Sequence, residues 1–149
     1  MRLILQRVAN AEVRVEGQVV AAIGPGILAL VGIEKSDTLA TAEMAARKVS
    51  QLRIFGDAEG KMNRSLLETR GSCLVVSQFT LAASLDRGRR PSFDGAAGAV
   101  EAEPLVLQLV ENLKTLGIRN VESGVFGATM EVHLVNDGPV SFVLDLPST

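Results

Sequence analysis

The chain has 149 residues, of which 47% are hydrophobic, and it carries a formal net charge of −2. A chain of this length is expected to form one domain over residues 1–149, with enough residues to bury a core. Five Phe with no Tyr or Trp, and a slightly acidic charge, argue against a general nucleic-acid surface built on stacking or basic charge, so no DNA partner is expected.

The first third of the chain predicts strands followed by a helix. Residues 2–8 and 12–20 alternate in hydrophobicity and are predicted to form two strands, with a turn at residues 16–18. Residues 27–33 form a near-continuous apolar run, which is typical of a strand covered on both faces. A helix is predicted to follow a cap at Ser36 or Asp37. Its apolar stripe comprises Leu39, Ala42, Ala46, Val49 and Leu52.

The middle of the chain predicts less regular structure. Residues 54–72 contain Gly and Asp turns and indicate an irregular segment or a short hairpin. Residues 73–81 are predicted to form a strand, followed by a long loop over residues 82–99. Within that loop Arg87, Arg89 and Arg90 lie close together and are one candidate for a local RNA contact.

The last third predicts a second helix and two more strands. The helix is expected to open at Glu103-Pro104 and stop at Gly117. Residues 119–135 return to strand, with a break at Gly124 and Gly127, and residues 140–146 alternate again. Mostly strands with two main helices predict an α+β domain of antiparallel or mixed sheets, arranged as a barrel or a sandwich.

Most chemical motifs are absent from the sequence. Cys73 lies in an apolar run and is expected to be a buried thiol, and His133, the only histidine, is expected to be an exposed or edge residue. One Cys and one His predict no zinc site, and no metal or cofactor is expected. The opening residues lack a signal peptide, and no run reaches the ~18 apolar residues of a membrane helix, so a cytoplasmic protein without membrane contacts is expected.

Two short segments indicate a site. The first is "SQFTL" (77–81), which places polar side chains where a strand gives way to a loop, although a plain strand end accounts for it equally well. The second is "NDGPV" (136–140). Asp137-Gly138 alone favours a hairpin turn, whereas Pro139 removes a donor and makes both cis and trans peptide bonds accessible.

Taken together with other motifs, these segments resemble one family. "QRV", "SQFTLAA", "RRPSFDGAA", "GVFGATMEV" and "NDGPV" occur in the order found in D-aminoacyl-tRNA deacylases of the bacterial and eukaryotic type. The resemblance covers residues 1–146. It implies hydrolysis of the ester between a D-amino acid and the 3′-terminal adenosine of tRNA, by a homodimer.

The resemblance also implies site residues. The Gly138-Pro139 bond is expected to be cis and to reach the active site of the partner subunit as a chiral filter. Arg7 resembles the arginine that steadies this segment, and Phe126 and Met130 match positions that line the pocket for the terminal adenine. The opposing wall is expected to comprise Ser77, Gln78, Phe79 and Thr80.

A steric filter of this kind has consequences for substrate choice. Glycine allows the backbone of the filter to approach the substrate Cα closely, so that an L side chain clashes and a D side chain points away. Many D-amino acids, and achiral glycine, are then expected to be accepted. Ser141 departs from the family, which usually carries threonine there; weaker packing with unchanged chemistry is expected.

Two mechanisms and a second function remain open from the sequence. Thr80 is one possible nucleophile, and the alternative is water attack assisted by the 2′-OH of the terminal ribose and by main-chain donors. A non-catalytic module that binds charged tRNA ends is the alternative function, and a purely structural dimer would leave Gln78 without a purpose.

Overall fold

A computed structural model describes residues 1–147 of the chain. The strands are β1 (Arg2–Val15), β2 (Gln18–Ile23), β3 (Gly26–Gly32), β4 (Phe55–Gly56), β5 (Met62–Arg64), β6 (Ser72–Ser77), β7 (Val121–Ser123) and β8 (Glu131–Asp145). The helices are α1 (Leu39–Gln51), α2 (Leu66–Thr69) and α3 (Ala99–Thr115), with one 3₁₀ turn over Phe79–Ala82.

The main sheet is mixed and barrel-like, and β1 lies at its centre. One edge of β1 pairs antiparallel with β3 along residues 2–8 and with β2 along residues 11–15. The other edge pairs antiparallel with β8 over almost its whole length. β3 continues the sheet by parallel pairing to β6 and then β7, and β2 contacts both of these strands, which nearly closes the barrel. The predicted α+β class with a barrel-like mixed sheet is therefore confirmed.

Two apolar clusters share the strand β3. Its residues Ile27, Ala29 and Val31 face α1 and α3, whereas Leu28 belongs to a second cluster inside the barrel. Burial on both faces explains why this strand is apolar at nearly every position, as the sequence predicts. Within residues 1–147, no helix is both long and apolar enough to span a membrane.

The two strands predicted at the start of the chain are one continuous strand, whose buried side chains belong to one core in its first half and to the other core in its second half. Leu3 and Leu5 point to the helices, whereas Val8, Ala11 and Val13 point into the barrel. The predicted separation of residues 2–8 from 12–20 is wrong because β1 stays paired to β8 through the change of face. The predicted turn lies at Glu16-Gly17, where φ is 50° and 77°, the positive values that a type I′ hairpin turn requires.

The first helix begins one residue later than predicted. Thr38 is the cap, and its side chain and that of Thr41 exchange capping-box hydrogen bonds with the backbone. Asp37 was a wrong choice because its buried carboxylate accepts from the Met1 ammonium at 2.6 Å and from the Glu34 amide at 2.7 Å. Leu39 is 61% exposed, but Ala42, Ala46 and Val49 of the predicted stripe are fully buried.

The second long helix begins earlier than predicted. α3 opens at Ala99 after Gly98, and Pro104 lies inside it rather than in its first turn. A proline there lacks the amide that would bond to the carbonyl of Val100, which a helix tolerates better near its start than in its middle. The predicted stop at Gly117 is confirmed, with φ of 104°.

The middle of the chain contains a hairpin and a helical turn. β4 and β5 form the short hairpin predicted within residues 54–72, whereas the four-residue helix α2 was not predicted. The strand predicted over residues 73–81 ends at Ser77, because the chain curls into the 3₁₀ turn at Phe79.

The segment "NDGPV" is a bulge rather than a hairpin. Gln6 pairs with Ser141 and Val8 pairs with Asn136, so residues 137–140 of β8 lie opposite Arg7 alone. Both flanks of the segment pair with the same strand, β1, which excludes the turn that Asp137-Gly138 suggested. The break predicted at Gly124 and Gly127 is confirmed by the loop between β7 and β8.

Replacing Gly26 by Ala is expected to destabilise the fold strongly. A Cβ on Gly26 would lie 1.8 Å from the carbonyl oxygen of Ser72, where β3 begins to pair with β6. The clash is with backbone, so the free energy of unfolding is expected to fall by about 3 kcal/mol or more. Urea denaturation measures this loss. Gly24→Ala is the matched control, because a Cβ there meets nothing within 4 Å; equal midpoints for the two variants would contradict the prediction.

Candidate active site

A cavity of about 510 Å³ opens at the carboxyl ends of β3 and β6. Its volume is in the range typical of small-molecule sites. The walls are mostly apolar, and the predicted site residues among them come from two separate parts of the chain. The lining comprises Val31, Ile33, Val76, Ser77, Gln78, Phe79, Ala97, Ala99, Ala102, Val106, Phe126, Gly127, Ala128, Met130 and Val132.

The segment after β6 is held against the end of β3. The Gln78 amide donates to the carbonyl of Val31 at 2.8 Å, after which the chain turns into its 3₁₀ segment. Gly32 permits this approach, since a Cβ there would lie 2.8 Å from Cβ of Leu81 and 3.1 Å from the carbonyl oxygen of Gln78. Ser77, Gln78 and Phe79 thereby line the cavity.

Thr80 lies next to the cavity rather than in its wall. Its hydroxyl accepts a hydrogen bond from Nε2 of Gln78, which ties the two polar side chains together. Thr80 is exposed, and within the described residues 1–147 no histidine or carboxylate donates to or accepts from its hydroxyl. The geometry therefore shows a positioned hydroxyl without a base beside it.

Phe126 and Met130 enter the cavity from the loop between β7 and β8. Phe126 packs against the cluster under the helices, whereas Met130 packs against the cluster inside the barrel. Gly124 leaves room for this arrangement, because a Cβ there would lie 2.7 Å from Sδ of Met130. The cavity therefore lies where the two cores meet.

None of the described residues that line the cavity has an acidic or basic side chain. His133 points elsewhere, 45% exposed and 3.9 Å from a Glu131 oxygen. Cys73 is fully buried, and burial raises the pKa of its thiol to about 12, so it is no nucleophile near neutral pH. Within residues 1–147, no group of three or more His, Cys, Asp or Glu side chains is arranged to hold a metal ion.

Arg7, Gly138 and Pro139 form a second group outside this cavity. Nε of Arg7 donates to the Asp137 carbonyl at 2.9 Å, and its Nη1 donates to the Ile54 carbonyl at 2.7 Å. The Gly138-Pro139 peptide bond is cis, and Gly138 has φ of 134°. The structure thus joins Arg7 to the Gly-Pro bulge, but it leaves this exposed bulge apart from the cavity of its own chain.

Phe93 was not predicted as a site residue, although it lies beside one. Its ring packs on that of Phe79, with centroids 5.1 Å apart. The loop that carries it folds back onto β3, because the Lys35 amide donates to the Gly95 carbonyl and the Ala97 amide to the Ile33 carbonyl, both at 3.0 Å. In the sequence, the motif "RRPSFDGAA" was the only indication that Phe93 lies near the site, because these contacts join distant parts of the sequence.

Comparison with known sequences gives one consistent result. The family model described as D-Tyr-tRNA(Tyr) deacylase matches residues 4–145. A D-aminoacyl-tRNA deacylase of Thermomicrobium roseum is 59% identical over 97% of this chain and 94% of the relative. Another, of Symbiobacterium thermophilum, is 51% identical over 100% of this chain and 98% of the relative.

Two solved structures have the same fold over nearly their full length. One, titled "c-Myc DNA Unwinding Element Binding Protein", has a TM-score of 0.94 and 38% identity, and the match covers 99% of both chains. The other, described as a probable eukaryotic D-amino acid tRNA deacylase, has a TM-score of 0.82 at 18% identity, covering 97% of this chain and 98% of that one. At 18% identity, the second match supports the shared fold and nothing further.

Replacing Arg7 by Ala is expected to loosen the bulge. The variant loses a hydrogen bond to Asp137 and a partly buried one to Ile54, which together are expected to cost about 1–3 kcal/mol of stability. Hydrogen exchange of the amides in residues 137–141 is expected to become faster. Arg14→Ala is the control, because the side chain of Arg14 bonds, among the residues that the structure describes, only to Glu12 of its own strand. Unchanged exchange in Arg7→Ala would show that the arginine does not hold the bulge.

Proposed function

The chain belongs to the D-Tyr-tRNA(Tyr) deacylase family, and we propose that it hydrolyses the ester between a D-amino acid and the 3′-terminal adenosine of tRNA. It is an enzyme of the D-aminoacyl-tRNA deacylase type. One observation in the structure carries the assignment to a site: the cavity that brings Ser77, Gln78 and Phe79 together with Phe126 and Met130.

The cavity suits a nucleoside that carries an acyl group. We assign the adenine to the apolar wall near Phe126 and Met130, where a flat ring and a polarisable thioether match a planar base. The polar wall at Ser77 and Gln78 then faces the ribose and the ester. This arrangement divides the cavity into an apolar base end and a polar reaction end.

Because the described residues of the cavity wall have no ionisable side chain, we assign catalysis to main-chain amides and to the substrate itself. The first hydrogen bond of the 3₁₀ turn runs from the Leu81 amide to the Gln78 carbonyl, at 3.1 Å. The amides of Phe79 and Thr80 come before the amide that makes this bond, and we assign them as the main-chain donors. Amides held in place in this way stabilise an oxyanion as it develops, without any change of protonation on the protein. The 2′-OH of the terminal ribose, next to the ester, assists attack by water.

A second copy of the chain completes the proposed site. Within one chain the Gly138-Pro139 bulge is exposed and does not line the cavity. Among the strands of residues 1–147, β1 is the only one that pairs with β8, and β8 carries exposed Val135 and Val143, at 52% and 65%. An exposed edge strand that carries apolar side chains offers a second chain a surface on which to pair or pack. A homodimer formed there would bring each bulge to the partner's cavity.

The Gly138-Pro139 bulge in this assembly acts as the chiral filter. Arg7 holds its backbone through Asp137, and the missing side chain at Gly138 lets that backbone approach the substrate Cα. An L side chain clashes with this wall, whereas a D side chain or the hydrogen of glycine does not. A filter that excludes substrates by steric clash selects for the configuration at Cα and not for the identity of the side chain.

Matched tRNA substrates test this function. The purified protein, without added metal, is expected to cleave D-tyrosyl-tRNA and glycyl-tRNA and to leave L-tyrosyl-tRNA intact, measured as released amino acid. Dimer mass by analytical ultracentrifugation is expected in the same preparation. Glycyl-tRNA that resists cleavage at high enzyme concentration would contradict a purely steric filter. If tRNA binds but all three esters survive, the chain is a binding module for charged tRNA ends.

Replacing Thr80 by Ala separates the two mechanisms. The variant keeps the main-chain amides, so kcat for D-tyrosyl-tRNA is expected to stay within about threefold of wild type under main-chain catalysis. Loss of a true nucleophile would reduce kcat by several orders of magnitude. Thr80→Ser, which keeps the hydroxyl bonded to Gln78, is the control. A large loss in the Ala variant with full activity in the Ser variant would reinstate Thr80 as nucleophile.

A further inference from the structure

The loop between the 3₁₀ turn and α3 forms a closed hairpin. Ser84 and Ser92 exchange backbone hydrogen bonds of 2.8 and 2.9 Å, and residues 85–91 form the tip between them. We call residues 84–92 the arginine hairpin, because its exposed tip carries Arg87, Arg89 and Arg90. A closed base gives these three side chains a defined place on the surface.

The three guanidinium groups of the arginine hairpin are unpaired. Within residues 1–147, no hydrogen bond or ion pair involves Arg87, Arg89 or Arg90. The one acidic residue of the tip, Asp86, instead accepts from the Ser84 hydroxyl at 2.9 Å. Of the eight other arginines, six have partners within these residues, and only Arg70 and Arg119 are likewise unpaired there; the six are Arg2, Arg7, Arg14, Arg47, Arg53 and Arg64.

This local positive charge contrasts with the rest of the molecule. The chain has a formal net charge of −2, so a cluster of unpaired arginines is a local reversal of sign. Like charges held this close repel one another in the free protein. Guanidinium groups bind phosphate oxygens by paired hydrogen bonds, so a polyanion with repeated phosphates relieves the repulsion and satisfies the donors.

The arginine hairpin lies beside the mouth of the cavity. Phe93 follows it directly and packs on Phe79, which lines the cavity. Arg90 precedes Phe93 by three positions in the chain, so their Cα atoms are within about 11 Å of each other. The base of the loop is also tied to the end of β3 by the bridge between Glu34 and Ala96. The arginine hairpin is therefore joined directly to a ring that packs on the cavity wall.

We propose that the arginine hairpin binds the phosphates that immediately precede the terminal nucleotide of tRNA. This proposal rests on the function proposed above, in which the terminal adenosine occupies the cavity. The strand that leads to that nucleotide must leave by the mouth, and its phosphates then pass Arg87, Arg89 and Arg90. The hairpin thus supplies affinity for the polynucleotide, whereas the cavity supplies the chemistry.

The triple variant R87Q/R89Q/R90Q tests this division. With D-tyrosyl-tRNA, its kcat/KM is expected to fall at least about tenfold through KM, since the lost contacts are electrostatic. The slope of log KM against log salt is expected to decrease by about 2, because each single-strand phosphate contact contributes about 0.7. With 3′-O-(D-tyrosyl)adenosine, which lacks those phosphates, kcat/KM is expected to stay at the wild-type value.

The control variant R47Q/K61Q/K114Q removes the same number of exposed positive charges. Each of these three side chains pairs with a nearby carboxylate, and none lines the cavity. Its kcat/KM for D-tyrosyl-tRNA is expected to remain close to wild type. If both triple variants lose activity equally, the effect is one of net charge and the proposal is overturned.

Binding of uncharged tRNA separates this inference from the proposed activity. Fluorescence anisotropy is expected to show weaker tRNA binding by the R87Q/R89Q/R90Q variant, a result that supports the hairpin even if the wild type cleaves no ester. Equal tRNA affinity of this variant and wild type overturns the inference and leaves the deacylase activity standing. Binding of anionic phosphatidylserine vesicles without tRNA binding, or a changed oligomeric mass in the variant, overturns it as well.

Discussion

The pairing of β1 with neighbours on both edges is the constraint on which the rest of the structure depends. β8 takes one edge, and β3 and β2 share the other, so β1 cannot shift its register without breaking three sets of hydrogen bonds. β1 also passes from the core under the helices to the core inside the barrel. At that crossing four residues of β8 face Arg7 alone. The position of the Gly138-Pro139 bulge is therefore a consequence of how the sheet closes.

The candidate active site follows from the same arrangement. The cavity lies where the two cores meet, and so its walls are built from side chains that would otherwise pack in one core or the other. A wall of this composition supplies shape and main-chain donors rather than acids and bases. Such a site suits a substrate with a reactive ester and a neighbouring hydroxyl, because placement and oxyanion stabilisation are the contributions that remain for the protein.

Part of the fold and of the site was readable from local sequence. The apolar run of β3 predicted burial on both faces, and Gly117 marked the end of α3. The resemblance named Ser77, Gln78 and Phe79, which do line the cavity with Phe126 and Met130. The two wrong helix starts share one cause, the use of rules based on local sequence. Asp37 and Pro104 were assigned from helix-boundary rules, but a contact with the Met1 ammonium and an earlier start at Ala99 prevailed.

The sequence by itself determined the two long helices and the approximate positions of most strands, because periodicity depends on near neighbours along the chain, and its motifs identified the family. Only the tertiary structure decided that both flanks of Gly138-Pro139 pair with β1, that Arg7 bonds to Asp137, and that Phe93 packs on Phe79. These contacts join residues far apart in sequence, so no local pattern encodes them. Sheet register and the closing of the barrel set them, and those depend on the burial of all strands together.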